Sequence, residues 1–124
     1  MKAMFAASAA LASLLAAPAM GQDLTGDPAA GEQLFERQCV TCHVVVNDEG
    51  AAIAGRHART GPNPWDVTNR VAGTVEDFRY SDGFEMLNEM GFEWDEESFV
   101  GYVQEPPNWL REATDNNRVR GKMT

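Results

Sequence analysis

The chain has 124 residues, two cysteines, and 19 acidic against 10 basic side chains, for a formal charge of −9. That length fits one small domain and leaves no room for a second. The acidic balance argues against nucleic acid and against anionic membrane surfaces as partners.

Residues 1–21 read as a signal peptide: a positive start at Lys2, an apolar run from Ala3 to Ala17, then small residues around Pro18, Ala19 and Gly21. Ala17-Pro18-Ala19 and Ala19-Met20-Gly21 both suit a signal peptidase, giving a mature start at Met20 or, as preferred here, at Gln22, with residues 22–124 as the domain. An uncleaved membrane anchor is the competing reading, but the run is short and rich in weakly hydrophobic alanine. Nothing later in the chain is apolar enough to span a bilayer, so no stable membrane insertion is expected once the leader is removed.

Asp27-Pro28 predicts a helix start, with Asp27 as N-cap and Pro28 at the first helical position. Gly31, Leu34 and Phe35 then form a small and apolar stripe that needs a partner helix. This helix leads into Cys39-Val40-Thr41-Cys42-His43, the Cys-x-x-Cys-His signature of covalent c-type haem attachment. Thiols three positions apart lie on one side of a helical turn, where each can form a thioether to a vinyl group. His43 then offers its imidazole to the iron. A redox disulfide or half of a zinc site are the rival uses of the two cysteines. The first wants a strand-helix-strand context that is not seen, and the second wants further ligands, of which only His57 is a candidate.

Val44 to Asp77 reads as a long polar loop without sustained strand alternation. A second helix is predicted after Ser81-Asp82, with Phe84, Leu87 and Met90 as its apolar set and Gly91 near its end. A third follows Asp95, where Phe99, Tyr102 and Val103 share a face and Glu105-Pro106 stops it. Pro106 to Thr124 reads as another long loop. Loops of such length are uncommon in a small domain unless they wrap a cofactor.

Seven segments together carry a family resemblance: Gly31-x-x-x-Phe35, Cys39 to His43, Thr60-Gly61-Pro62-Asn63, Arg70-Val71-Ala72-Gly73-Thr74, Tyr80-Ser81-Asp82, Trp94-Asp95-Glu96-Glu97, and Arg120-Gly121-Lys122-Met123-Thr124. In order and spacing the chain is similar to bacterial class I cytochromes c, and nearest among them to the periplasmic cytochrome c2 carriers. The resemblance implies an all-α cytochrome c fold, short helices and long loops around one covalently bound haem c. It makes Met123 the second axial ligand opposite His43. Met86 and Met90 are the competitors, both in the second predicted helix, where methionine is more often core filler; His57 sits in a charged loop as a weaker rival. The resemblance further gives the Pro62 carbonyl to the free ring N–H of His43, and Arg70, Tyr80 and Trp94 to a haem propionate. The bland alternative for these three is a core role for Tyr80 and Trp94 and a solvated surface for Arg70.

A His and Met ligand set fills both axial positions, which implies a periplasmic one-electron carrier and not an enzyme, at a positive potential. Expected partners are membrane redox complexes as donor and acceptor, and a monomer is expected. Arg111, Arg118, Arg120 and Lys122 near Met123 suggest a positive collar for acidic docking faces. A set of solvated charges is the alternative. Two other functions stay open: a haem protein with an open site for a gas or peroxide, and a haem-free exported module whose cysteines pair or hold a metal. The chain departs from the family pattern in three places. The sequence stops at Thr124 where relatives continue into a C-terminal helix across the first, Pro64 stands where an apolar residue is usual, and Lys122 is the one lysine after the leader.

Overall fold

Asp27 opens the first helix in the way its side chain dictates: in the computed structural model, which describes residues 24–124, its carboxylate accepts the backbone N–H groups of Ala29 at 2.9 Å and Ala30 at 3.2 Å. The leader predicted at 1–21 lies outside the described residues. The first helix, α1, spans Pro28–Gln38 and ends at Cys39, whose N–H donates to the Phe35 carbonyl at 2.8 Å. No residue of α1 is buried and Leu34 stays exposed. Among the described residues nothing comes within 4 Å of a β-carbon built on Gly31, so the predicted stripe packs on no partner helix there.

The stretch expected to be one long loop contains a short hairpin. Strands β1 (Val45–Val46) and β2 (Ala52–Ala54) pair antiparallel with an irregularity in register. Asn47 builds the turn: its side-chain oxygen accepts from the N–H groups of Ala51 at 2.8 Å and Glu49 at 3.2 Å. Gly50 supplies a left-handed residue at φ 79°. Two- and three-residue strands are too short to show alternation, which is why the pattern escapes a periodicity reading.

Helix α2 (Asp82–Glu89) follows Ser81 as expected, burying Gly83 and Leu87. Met90 corrects the predicted apolar set, since it lies just past the helix and is 57% exposed. The helix stops because Gly91 turns left-handed at φ 66°. The Gly91 N–H then reaches the Asn88 carbonyl and the Phe92 N–H the Leu87 carbonyl, each at 2.9 Å, which satisfies the orphan carbonyls of the last turn. Helix α3 (Glu96–Gln104) begins at a reciprocal cap: the Ser98 N–H donates to the Asp95 carboxylate at 2.7 Å and the Asp95 N–H to the Ser98 hydroxyl at 3.0 Å. That carboxylate is held below the usual range by the Ser98 hydrogen bonds.

Glu105-Pro106 does end α3, but the same prolines begin a fourth helix, α4 (Pro106–Ala113), inside a segment expected to be loop. Proline at the first helical positions gives up an N–H that has no intrahelical partner anyway, so it stops one helix and starts the next. α4 fully buries Leu110. A β-carbon on Gly83 would overlap the end of Leu110, and one on Gly121 would meet it at 3.3 Å, so the leucine fills a seat that only two glycines leave open. The core gathers Ala72, Leu87, Trp94, Tyr102, Leu110 and Val119. Among the described residues no helix is long and apolar enough to cross a membrane.

Candidate functional site

Beyond the end of α1 the chain makes one further turn, with the Cys42 and His43 N–H groups donating to the Cys39 carbonyl at 3.0 and 2.9 Å. This turn brings Cys39, Cys42 and His43 to one wall of a cavity of about 430 Å³. The two cysteines are half-buried free thiols. Burial, and next to it the neighbouring Cys42, pushes the Cys39 thiol above its ordinary range, the reverse of what a redox nucleophile needs. Among the described residues no group of three His, Cys, Asp or Glu side chains could hold a metal ion, which disfavours a structural zinc site.

The residues assigned from the sequence to holding the haem all line this one cavity: Pro62, Arg70, Tyr80, Trp94 and Met123 join the Cys39 to His43 turn. The rivals do not. Met86 packs against the core with the Asn116 amide 3.5 Å from its sulfur, Met90 faces solvent, and His57 is exposed in its loop.

The imidazole of His43 is oriented by one bond, Nδ1 to the Pro62 carbonyl at 2.8 Å. A carbonyl can only accept, so Nδ1 carries a proton, and in the neutral ring that leaves the lone pair on Nε2. Pro62 is placed by a short relay: the Gly61 N–H donates to the Cys42 carbonyl at 2.7 Å. The Asn63 amide grips β1 by both its groups, accepting from the Val46 N–H at 3.0 Å and donating to the Val46 carbonyl at 2.8 Å. The hairpin thus backs the histidine. Asn63 had no assigned role in the sequence, although its place in Thr60-Gly61-Pro62-Asn63 was the available signal.

Arg70 is half-buried, and its guanidinium donates to the Trp65 carbonyl at 2.8 Å and the Asn63 carbonyl at 3.1 Å. It pins the loop that carries Pro62 and itself lines the cavity. The Tyr80 hydroxyl accepts from the Val75 N–H at 3.2 Å, which leaves its own proton to donate. Burial raises its phenol, with the Val75 bond and the Arg70 charge pulling the other way. Trp94 is 4% exposed and stacks on Trp109 with ring centroids 5.2 Å apart. Trp94 therefore packs in the core and lines the cavity as well, while the half-buried Tyr80 lines the cavity without joining that core.

Met123 arrives from the far end of the chain. The Arg120 N–H donates to the Asp82 carboxylate at 3.1 Å, and Gly121 rests on Leu110. The Lys122 ammonium donates to the Arg79 carbonyl and lies 4.8 Å from the centre of the Phe78 ring. These four contacts hold Met123 at the same cavity that His43 lines. The residues fit a haem: an apolar chamber of cofactor size, two thiols at one wall, an imidazole with a free Nε2, a thioether, and donors from Arg70 and Tyr80.

No protein-family profile matches the chain. Among curated proteins it is 49% identical to cytochrome c2 of Cereibacter sphaeroides over 125 residues, covering 100% of this chain and 84% of that protein. It is 52% identical to cytochrome c2 of Rhodovulum adriaticum over 102 residues, covering 82% and 80%. Among solved structures, cytochrome c2 from Rhodobacter sphaeroides superposes with a TM-score of 0.74 at 51% identity, covering 80% of each chain.

Proposed function

The chain belongs to the bacterial periplasmic cytochrome c2 family, and from that premise we propose how its residues hold and tune the haem. As a member it is a periplasmic one-electron carrier with a single covalently attached haem c, a shuttle between membrane redox complexes and not an enzyme. Residues 1–21 serve as its export leader, a reading that Lys2 and the Ala3 to Ala17 run support.

Cys39 and Cys42 would supply the two thioether sulfurs, and His43 Nε2 and Met123 Sδ would hold the iron. The observation that carries this assignment is the Nδ1 to Pro62 hydrogen bond, on the same cavity as both thiols and the Met123 sulfur. Bound haem supplies the one-electron couple. Pro62 makes His43 a stronger donor by drawing on its ring proton. The thioether of Met123 raises the potential relative to a second imidazole, and the apolar walls disfavour added charge in the same direction. Arg70, Tyr80 and Trp94 hold N–H and O–H donors where a propionate, otherwise a poorly solvated charge, needs them. Arg79, Arg118, Arg120 and Lys122 are exposed and form a basic collar about the Met123 arm, suited to acidic docking faces.

The test is Met123→Leu in holoprotein made with the haem maturation machinery. The parent should carry the mass of one haem and a ferric sulfur-to-iron band near the red end of the spectrum. The variant should keep the mass, lose the band, fall in potential and bind carbon monoxide when reduced. Carbon monoxide binding readily to the reduced parent would instead mark an open site.

A further inference from the structure

We propose that Gly61 is a positioning residue for His43: the bare backbone it presents to the imidazole fixes the rotation of the ring, and with it the direction in which Nε2 is offered. This rests on the ligand assignment above. A β-carbon built on Gly61 overlaps the ring, lying 2.5 Å from both Nδ1 and Nε2 and nearer still to Cε1, where ordinary contact begins at 3.4 Å. The backbone of Gly61 does not lie in the left-handed region, unlike that of Gly50, Gly55, Gly73 and Gly91. Alanine is therefore excluded at position 61 by the imidazole and not by the main chain.

The neighbouring bonds turn this clearance into a constraint. The Gly61 N–H is tied to the Cys42 carbonyl at 2.7 Å, so the glycine cannot retreat from the residue that follows Cys42. The next carbonyl, that of Pro62, draws Nδ1 toward the same backbone at 2.8 Å. One residue supplies the pull and its neighbour the stop. On the opposite flank Gly55, at φ 74°, closes on the main chain of His43, where a β-carbon would meet the carbonyl oxygen at 2.7 Å. Ring and backbone of His43 are each pressed against a glycine.

A methyl group at position 61 must turn or tilt the imidazole and lengthen its bond to Pro62, which weakens His43 as a donor to the ferric state. Gly61→Ala holoprotein should shift the redox equilibrium toward the reduced form by about tenfold, which is about 59 mV upward for one electron. Its ferric paramagnetic proton shifts should show a rotated axial imidazole. Gly26→Ala, whose β-carbon meets only Glu96 at 3.6 Å, should leave both unchanged. Parental potential and shifts in Gly61→Ala would overturn the proposal while the ligand assignment stands; a parent without an imidazole-ligated haem would overturn that assignment first. Should the variant not mature, the unaltered holoprotein decides: dipolar contacts between the Gly61 α-protons and the His43 ring support the proposal, and their absence refutes it.

Discussion

Tyr102 illustrates how one buried side chain sets a pH limit on the whole protein. It is 5% exposed, and burial pushes its phenol from an ordinary 10 up to about 12. Below pH 10 the phenol is neutral in folded and unfolded chains alike, and its full contribution is present. Above it the unfolded chain releases a proton that the folded chain retains, so stability falls as the pH rises toward 12, at about 1.4 kcal/mol per unit. Denaturant midpoints at pH 9 and pH 11 should show this loss in the parent, and Tyr102→Phe should reduce it. An equal alkaline loss in the phenylalanine variant would place the effect elsewhere. The same attention to single atoms made the site legible before any coordinates. Spacing marks Cys39, Cys42 and His43 as candidates and the Gly-Lys-Met-Thr match marks Met123, and the structure brings all four to one cavity. Gly61 and Asn63 act through a missing side chain and through hydrogen bonds to distant backbone, and neither leaves a mark in composition or period.

At the level of elements, the three helices that begin with clear caps or turns were readable: Asp27, Ser81 and Asp95 each mark a start that the structure keeps. α4 was not, because Pro106 was weighed only as the end of α3, and because Trp109, Leu110 and Ala113 make too short a stripe to stand out. The hairpin was hidden for a similar reason, its register set by the Asn47 turn and the grip of Asn63. Yet α4 supports the Met123 segment through Leu110. Leu110 sits between Gly83 of α2 and Gly121 beside Met123, so Leu110→Ala should cost about 2–5 kcal/mol of stability. It should also weaken the sulfur-to-iron band while leaving haem attachment at Cys39 and Cys42 intact. Calorimetry and the ferric spectrum of the same sample would separate the two effects; a stable variant with a parental band would show that Leu110 does not set the arm.

For the whole molecule, an overall charge of −9 hides a local surplus of the other sign. Acidic residues crowd the first turns of α2 and α3, where helix dipoles favour them. Arg118, Arg120 and Lys122 are exposed and closely precede Met123 in the chain, and Lys122 reaches the Arg79 carbonyl. Electron exchange with an acidic partner should therefore slow as salt is added, on the order of tenfold from low to physiological ionic strength. Stopped-flow rates that rise with salt would exclude attraction through this collar. Tyr80, Phe84 and Trp94 make one run of ring contacts along the chamber wall, continued outside it by Trp109.

Met123 packs against the core, and the segment leading to it is joined to Asp82, Leu110, Arg79 and Phe78. A haem bonded covalently at Cys39 and Cys42 would remain with the chain through a momentary loss of the Met123 contact, so the carrier would recover its ligand set without having to recapture a cofactor from solution.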